Sequence, residues 1–184
     1  MGTEASLQHG KIVKMPLMNI ENELDRWILA ETYQNLATVN SYLAKFEVEP
    51  ATRYLMSFMD KLTNWYLRRS RRRFRAAGMG ADKQQAYYTL FEVIKLYTLM
   101  AAPFAPFVTE TVWQQMQAFI ATANTDVPTS VHLEYWPMNG EQYIDDQLIE
   151  EIATVRKIIK GAMYVRAKHQ IKVKQPLKKL SFKL

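Results

Sequence analysis

Asn64-Trp65-Tyr66-Leu67-Arg68-Arg69-Ser70-Arg71-Arg72-Arg73-Phe74-Arg75 is the stretch on which the reading of this chain turns. Its last eight residues hold six arginines and no acid. Upstream, Tyr54/Leu55, Phe58/Met59, Leu62 and Trp65/Tyr66 recur at three- and four-residue steps, the period of an amphipathic helix. Pro50 suits the first helical position, and no breaker intervenes before Gly78 and Gly80. The spacing therefore predicts one helix that carries an aromatic stripe directly into an arginine block. At about 100° per residue, Arg69 and Arg73 fall inside the sector of the apolar stripe, and Arg72 at its edge. Ser70 and Phe74 fall outside it. Two readings follow. Arginines that extend a core stripe can turn inward onto acids of neighbouring helices, such as Glu92 and Glu110, through bidentate pairs. Those that face outward form a phosphate-binding ridge, with Trp65 or Tyr66 at its edge to stack a splayed base. Six arginines cannot all find acids locally, so at least three are expected to be exposed.

The flanking sequence predicts more helices. Asn22 is an expected N-cap, with Asp25 where a capping box would place Glu. From there Leu24, Trp27, Ile28, Leu36, Val39, Leu43 and Phe46 mark a helix to about Lys45. A third helix begins near Asp82, with Tyr87, Leu90/Phe91, Ile94, Tyr97/Thr98 and Ala101 as its stripe. Pro103 and Pro106 break it. A fourth runs from about Val108 to Ala121, and residues 122–140 are a loop. A fifth spans about Asp145 to Lys168, with Leu148, Ile149, Ile152, Val155, Ile159 and Met163 facing a core. The period then falls to two in Ile171-Lys172-Val173-Lys174 and Leu180-Ser181-Phe182-Lys183-Leu184, as in half-buried strands. Pro176 demotes the first run to an edge strand or linker. The expected fold is all-α: an antiparallel bundle of four to five helices with a short basic C-terminal β extension. Residues 1–20 read as a tail or cloning remnant, 21–168 as the bundle, and 169–184 as a basic extended segment opening a C-terminal domain.

Charge sets the class of partner. Residues 1–67 hold 6 basic against 8 acidic residues, and residues 76–151 hold 2 against 10. Residues 152–184 hold 10 basic residues and no acid. Two basic blocks in an acidic background are the electrostatic footprint of a polyanion, because Lys and Arg that neutralise phosphates release condensed counterions. In the second block Arg166, Lys168, Lys172 and Lys174 are candidates, although alternating lysines also guard strand edges. Catalysis finds no support. There is no cysteine, and His9, His132 and His169 lack metal-ligand spacing. No Gly-rich phosphate loop or nucleophile elbow is present. Asp145/Asp146 and Glu150/Glu151 suit the first turns of a helix better than a metal. No apolar run approaches the ~20 residues of a membrane span.

Three segments carry a family likeness: Glu23-Leu24-Asp25-Arg26-Trp27-Ile28-Leu29, the 64–74 string quoted above, and Leu99-Met100-Ala101-Ala102-Pro103-Phe104-Ala105-Pro106-Phe107-Val108-Thr109-Glu110. They resemble the anticodon-binding domain of class I aminoacyl-tRNA synthetases. The third is general to the valyl, leucyl and isoleucyl subgroup. The 64–74 string, with Ser130-Val131-His132-Leu133-Glu134-Tyr135-Trp136-Pro137 and Ile171-Lys172-Val173-Lys174-Gln175-Pro176-Leu177, is most similar to isoleucyl-tRNA synthetase. The likeness covers roughly residues 20–184. It implies a bundle that docks isoleucine tRNA, beside a catalytic domain of the same parent chain that uses ATP and magnesium. The two ATP-binding signatures of that class are absent from these 184 residues. A non-catalytic, monomeric, cytoplasmic fragment is expected, with no cofactor or metal of its own. Its expected RNA-binding residues are Trp65, Arg68, Arg69, Arg71, Arg72, Arg73, Arg75, Arg166, Lys168, Lys172 and Lys174. The alternatives are the same domain of a valyl or leucyl enzyme, or a helical protein-interaction module with basic docking faces.

Overall fold

Asn22 opens the first helix by accepting from the backbone N–H groups of Leu24, at 3.0 Å, and Asp25, at 3.4 Å. A side-chain cap of this kind contributes about 1 kcal/mol. The helix, α1, spans Glu23–Leu43 and buries Trp27, Ile28, Leu36 and Val39, as the period predicts. It stops at Leu43, and Phe46, expected on its stripe, takes the left-handed φ of 59° and is 91% exposed. The expected stripe runs past the point where the chain turns. The computed structural model describes residues 20–120, 128–138 and 140–182. The expected tail at 1–19, the tip of the expected loop at 122–127 with Ala121, and the last two residues of the second expected strand lie outside the described residues.

After a tight turn α2 spans Val48–Asp60, the chain continues as a π-helix over Lys61–Leu67, and α3 spans Arg68–Phe74. The unbroken helix expected from about residue 50 to the glycines is therefore present, with a π segment at its centre. It runs antiparallel to α1. Tyr42 meets Tyr54, Glu31 pairs with Lys61, and Asp25 accepts from the Tyr66 hydroxyl, so partners descend on one helix as they climb the other.

Next, α4 spans Ala81–Ala101 and packs on α1 and α3. Its buried face includes Ala86, Thr89, Val93, Leu96 and Met100, one residue out of phase with most of the expected stripe, of which Thr98 and Ala101 are buried. Tyr87, Leu90, Phe91, Ile94 and Tyr97 are only half-buried. Small residues at the contact let the helices approach, and the large ones fill the flanks. The prolines break the chain as expected, and α5 spans Pro106–Ile120. Its Trp113 is fully buried with Leu99, Ala102 and Val131, and the indole Nε1 donates to the Pro128 carbonyl at 3.1 Å.

Two 3₁₀ turns, Val131–Leu133 and Glu141–Tyr143, hold the following loop. Trp136 Nε1 donates to Asn40 Oδ1 at 2.7 Å, and Tyr143 packs on Tyr33. Gly140 has φ 141°, and a Cβ there would lie 2.0 Å from the Tyr33 ring, so only glycine fits. Asp145 begins a second compact unit and caps α6, which spans Asp146–Lys168, by accepting from Leu148 N–H at 3.0 Å.

Among the described residues every regular element is helical, and the chain is an all-α bundle. The two expected strand runs form no ladder there: residues 171–182 pair with no strand. A strand without a partner leaves its backbone groups unsatisfied. Here the Arg166 guanidinium takes that place, donating to the carbonyls of Lys172 at 2.9 Å and Gln175 at 3.0 Å. The expected core face of α6 is also mostly open. Leu148 is buried, but Val155, Ile159 and Met163 are 44%, 37% and 41% exposed.

Candidate nucleic-acid interface

The π segment decides which arginines face solvent. A π turn closes i→i+5 instead of i→i+4, so residues beyond it shift by about one position, or about 100°. The buried face runs Ala51, Leu55, Phe58, Leu62, Tyr66 and Ser70, ending in uniform four-residue steps. A straight α-helix would have placed Arg69 on that face. Instead Ser70 is fully buried, and half-buried Phe74 meets the rings of Tyr66 and Tyr87 edge-on. The helical projection, which put Ser70 and Phe74 outside the core sector, is overturned by this shift. Arg68, Arg69, Arg71, Arg72 and Arg75 are exposed.

Arg73 alone of the block turns inward. Its two terminal nitrogens each lie 2.7 Å from a carboxylate oxygen of Asp25, a bidentate pair, and its Nε lies 2.9 Å from both oxygens of Asp82. Asp25 is fully buried, and the Tyr66 hydroxyl donates to it at 2.8 Å. One guanidinium thus ties α1, α3 and the start of α4 together. Its acids are Asp25 and Asp82, and not the Glu92 or Glu110 that the sequence suggested. Glu110 instead accepts from Ser130 Oγ at 2.8 Å and from Val131 N–H at 3.1 Å, fixing the loop after α5. Burial works to lower the Arg73 pKa, but Asp25 and Asp82 outweigh it and hold the pKa well above the ordinary value. Burial first, and then the Asp25 charge, push the Tyr66 phenol far above its usual range, so it remains a donor.

Trp65 is half-buried, and the Arg69 guanidinium lies over its ring at 3.7 Å from the centroid. The expected edge aromatic is therefore present, but one of its faces is occupied. Tyr66 is fully buried and offers no face to a base. In the second unit Lys168, Lys172 and Lys174 are exposed, whereas Arg166 is half-buried and engaged with backbone carbonyls. Sequence reasoning missed Asp25 and Asp82 as anchors. In the sequence Asp25 stands in the place of a capping residue, and only the pairing of α1 with the Arg block reveals its second use. Among the described residues no His, Asp and Glu group could hold a metal ion, and no helix is long and apolar enough to cross a membrane.

A helical bundle that buries one arginine to display five others has the form of a module that meets a polyanion, and the comparison with known families agrees. Residues 25–181 match the family described as the anticodon-binding domain of tRNA ligase, and the chain belongs to that family. Its relatives include several isoleucine–tRNA ligases. It is 39% identical over 169 residues to the isoleucine–tRNA ligase of Thermobifida fusca, covering 92% of this chain and 15% of that protein. The isoleucine–tRNA ligase of Treponema denticola is 36% identical over 88% of this chain and 14% of its own length. That of Chlamydia trachomatis serovar L2b is 38% identical over 86% of this chain and 15% of its own length. The chain thus spans about 15% of the length of these relatives.

Proposed function

We propose that this chain docks the anticodon arm of isoleucine tRNA and positions it for aminoacylation by a catalytic domain of the same parent chain. The observation that carries the reading is the division of the arginine block, in which Arg73 is locked into the core while Arg68, Arg69, Arg71, Arg72 and Arg75 are exposed. Exposed guanidinium groups on one short helix bind phosphates by charge and by bidentate hydrogen bonds. Lys168, Lys172 and Lys174 offer a second cationic surface. On this reading Arg73 and Arg166 are structural, and Trp65 acts beneath Arg69. The bundle itself contributes no catalytic group. ATP and magnesium act on the catalytic domain, in the cytoplasm, and the isolated piece is a monomer.

The test is binding of the 184-residue protein to isoleucine tRNA and to a scrambled polyanion of equal charge at physiological salt. Preference for the tRNA, with affinity falling steeply as salt rises, is the expected result. Equal binding to both would exclude anticodon recognition by this chain alone. One observation favours a second reading, a face that docks protein. Phe107, Val108, Leu133 and Tyr135 are 87%, 66%, 67% and 88% exposed, on α5 and the turn that Glu110 ties to it. The catalytic domain of the parent chain is the partner this reading names.

A further inference from the structure

We infer that the Arg69 guanidinium, layered on Trp65, is a stacking shelf for one unpaired nucleobase. The inference rests on the RNA-binding reading above and adds a chemical role at one position. Trp65 lies near the C-terminal end of the π segment and is half-buried, with its indole nitrogen enclosed by the bundle. Arg69 follows it by four residues, and its guanidinium sits 3.7 Å from the ring centroid. A planar cation at that distance rests its face on the indole, through combined cation–π attraction and stacking. Among the described residues Arg69 forms no hydrogen bond or ion pair with an acid, whereas Arg73, four residues on, meets two. Arg69 itself is exposed.

Such an arrangement fixes a flat, cationic surface without using any of its donors. An arginine free in solution must lose rotamer entropy to stack on a base. Here the indole has already restricted the side chain, which lowers that cost. Splayed bases in RNA loops stack on aromatic rings and on arginine planes alike. The in-plane N–H groups of Arg69 remain available for the phosphate or base edge beside the stacked base. Arg68, Arg71, Arg72 and Arg75 do not share this geometry, since no ring contact holds them among the described residues. They meet the backbone as charges. The shelf therefore reads an unpaired base as a flat surface, and a paired stem offers it nothing.

The experiment uses the anticodon stem-loop of an isoleucine tRNA, the same hairpin with abasic loop nucleotides, and the protein with and without Arg69→Lys. Lysine keeps the charge and removes the plane. The wild-type protein is expected to prefer the intact loop. Arg69→Lys should lose about tenfold in affinity for the intact loop. It should bind the abasic hairpin unchanged, keep the salt slope of the wild type, and melt as the wild type does. If Arg69→Lys binds the intact loop as tightly as wild type, or weakens on both hairpins equally, the shelf is refuted while the RNA-binding reading stands. If wild-type protein binds neither hairpin better than a scrambled polyanion, both fall together.

Discussion

Arg73 and Arg71 lie two residues apart on α3 in opposite surroundings. Arg71 is exposed, and Arg73 has a side chain only 14% exposed, gripped by the fully buried Asp25. Removing one partner of a buried, hydrogen-bonded ion pair leaves an uncompensated charge and costs about 3–5 kcal/mol. Asp25→Asn is therefore expected to lower the unfolding free energy by about that much, read as the midpoint of a urea titration. Tyr66→Phe removes one donor to the same carboxylate and should cost about 1 kcal/mol. Asp82→Asn should cost less than Asp25→Asn, because Asp82 is 61% exposed and its pair is screened by water. Arg71→Ala should leave the unfolding free energy within about 0.5 kcal/mol of wild type, as surface substitutions do. A large loss of stability in Arg71→Ala would show that the exposed arginines also hold the bundle.

At the scale of elements, the π segment sets the phase of everything after it. If it holds one extra residue, deleting the exposed Thr63 closes Lys61–Leu67 to a regular α-helix and keeps Tyr66, Ser70 and Arg73 on the inner face. The deletion variant should then melt close to wild type. A collapse of Tm would mean that α3 had been rotated away from Asp25 and that the phase argument is wrong. The same segment explains what the sequence disclosed and what it hid. The Asn22 cap, the proline break after α4 and the three-to-four-residue steps of α1 and α2 rest on local chemistry, and they are legible in the sequence. A π turn leaves no breaker and no change of composition, so the projection of Arg69, Ser70 and Phe74 went astray beyond it. The N-terminal part of the α4 face departs from its expected stripe for a different reason: its contacts use Ala86 and Thr89, which a search for large apolar residues passes over. Glu110 supplies a pH test at this scale. Hydrogen bonds from Gln114 and Ser130 lower its pKa, so the ionised form is the one that holds the loop. Protection of the Val131 amide from hydrogen exchange should persist at neutral pH and fade as pH drops through that lowered value. Protection that is flat with pH would contradict the tether.

On the scale of the whole molecule, buried tyrosines tie stability to alkaline pH. Burial raises the pKa of Tyr33, Tyr66, Tyr88 and Tyr97 above the ordinary value near 10. The folded chain keeps those protons where the unfolded chain releases them, so stability is complete below about pH 10 and falls as pH rises beyond it. Urea midpoints that hold to about pH 9 and then decline would agree; midpoints that rise there would not. The charge layout of the molecule has its own consequence. Two basic blocks in an acidic background make nucleic-acid affinity a matter of counterion release, and each phosphate contact adds about 0.7–0.9 to the slope of log affinity against log salt. The measurement that bears most directly on RNA docking by α3 is that slope for an isoleucine tRNA anticodon stem-loop, taken for wild type and for the Arg71→Ala, Arg72→Ala double variant. The slope is expected to drop by about 1.5, with Tm unchanged and with weakening alike on cognate and non-cognate RNA. An unchanged slope and affinity in a folded double variant would show that the exposed arginines of α3 do not meet RNA.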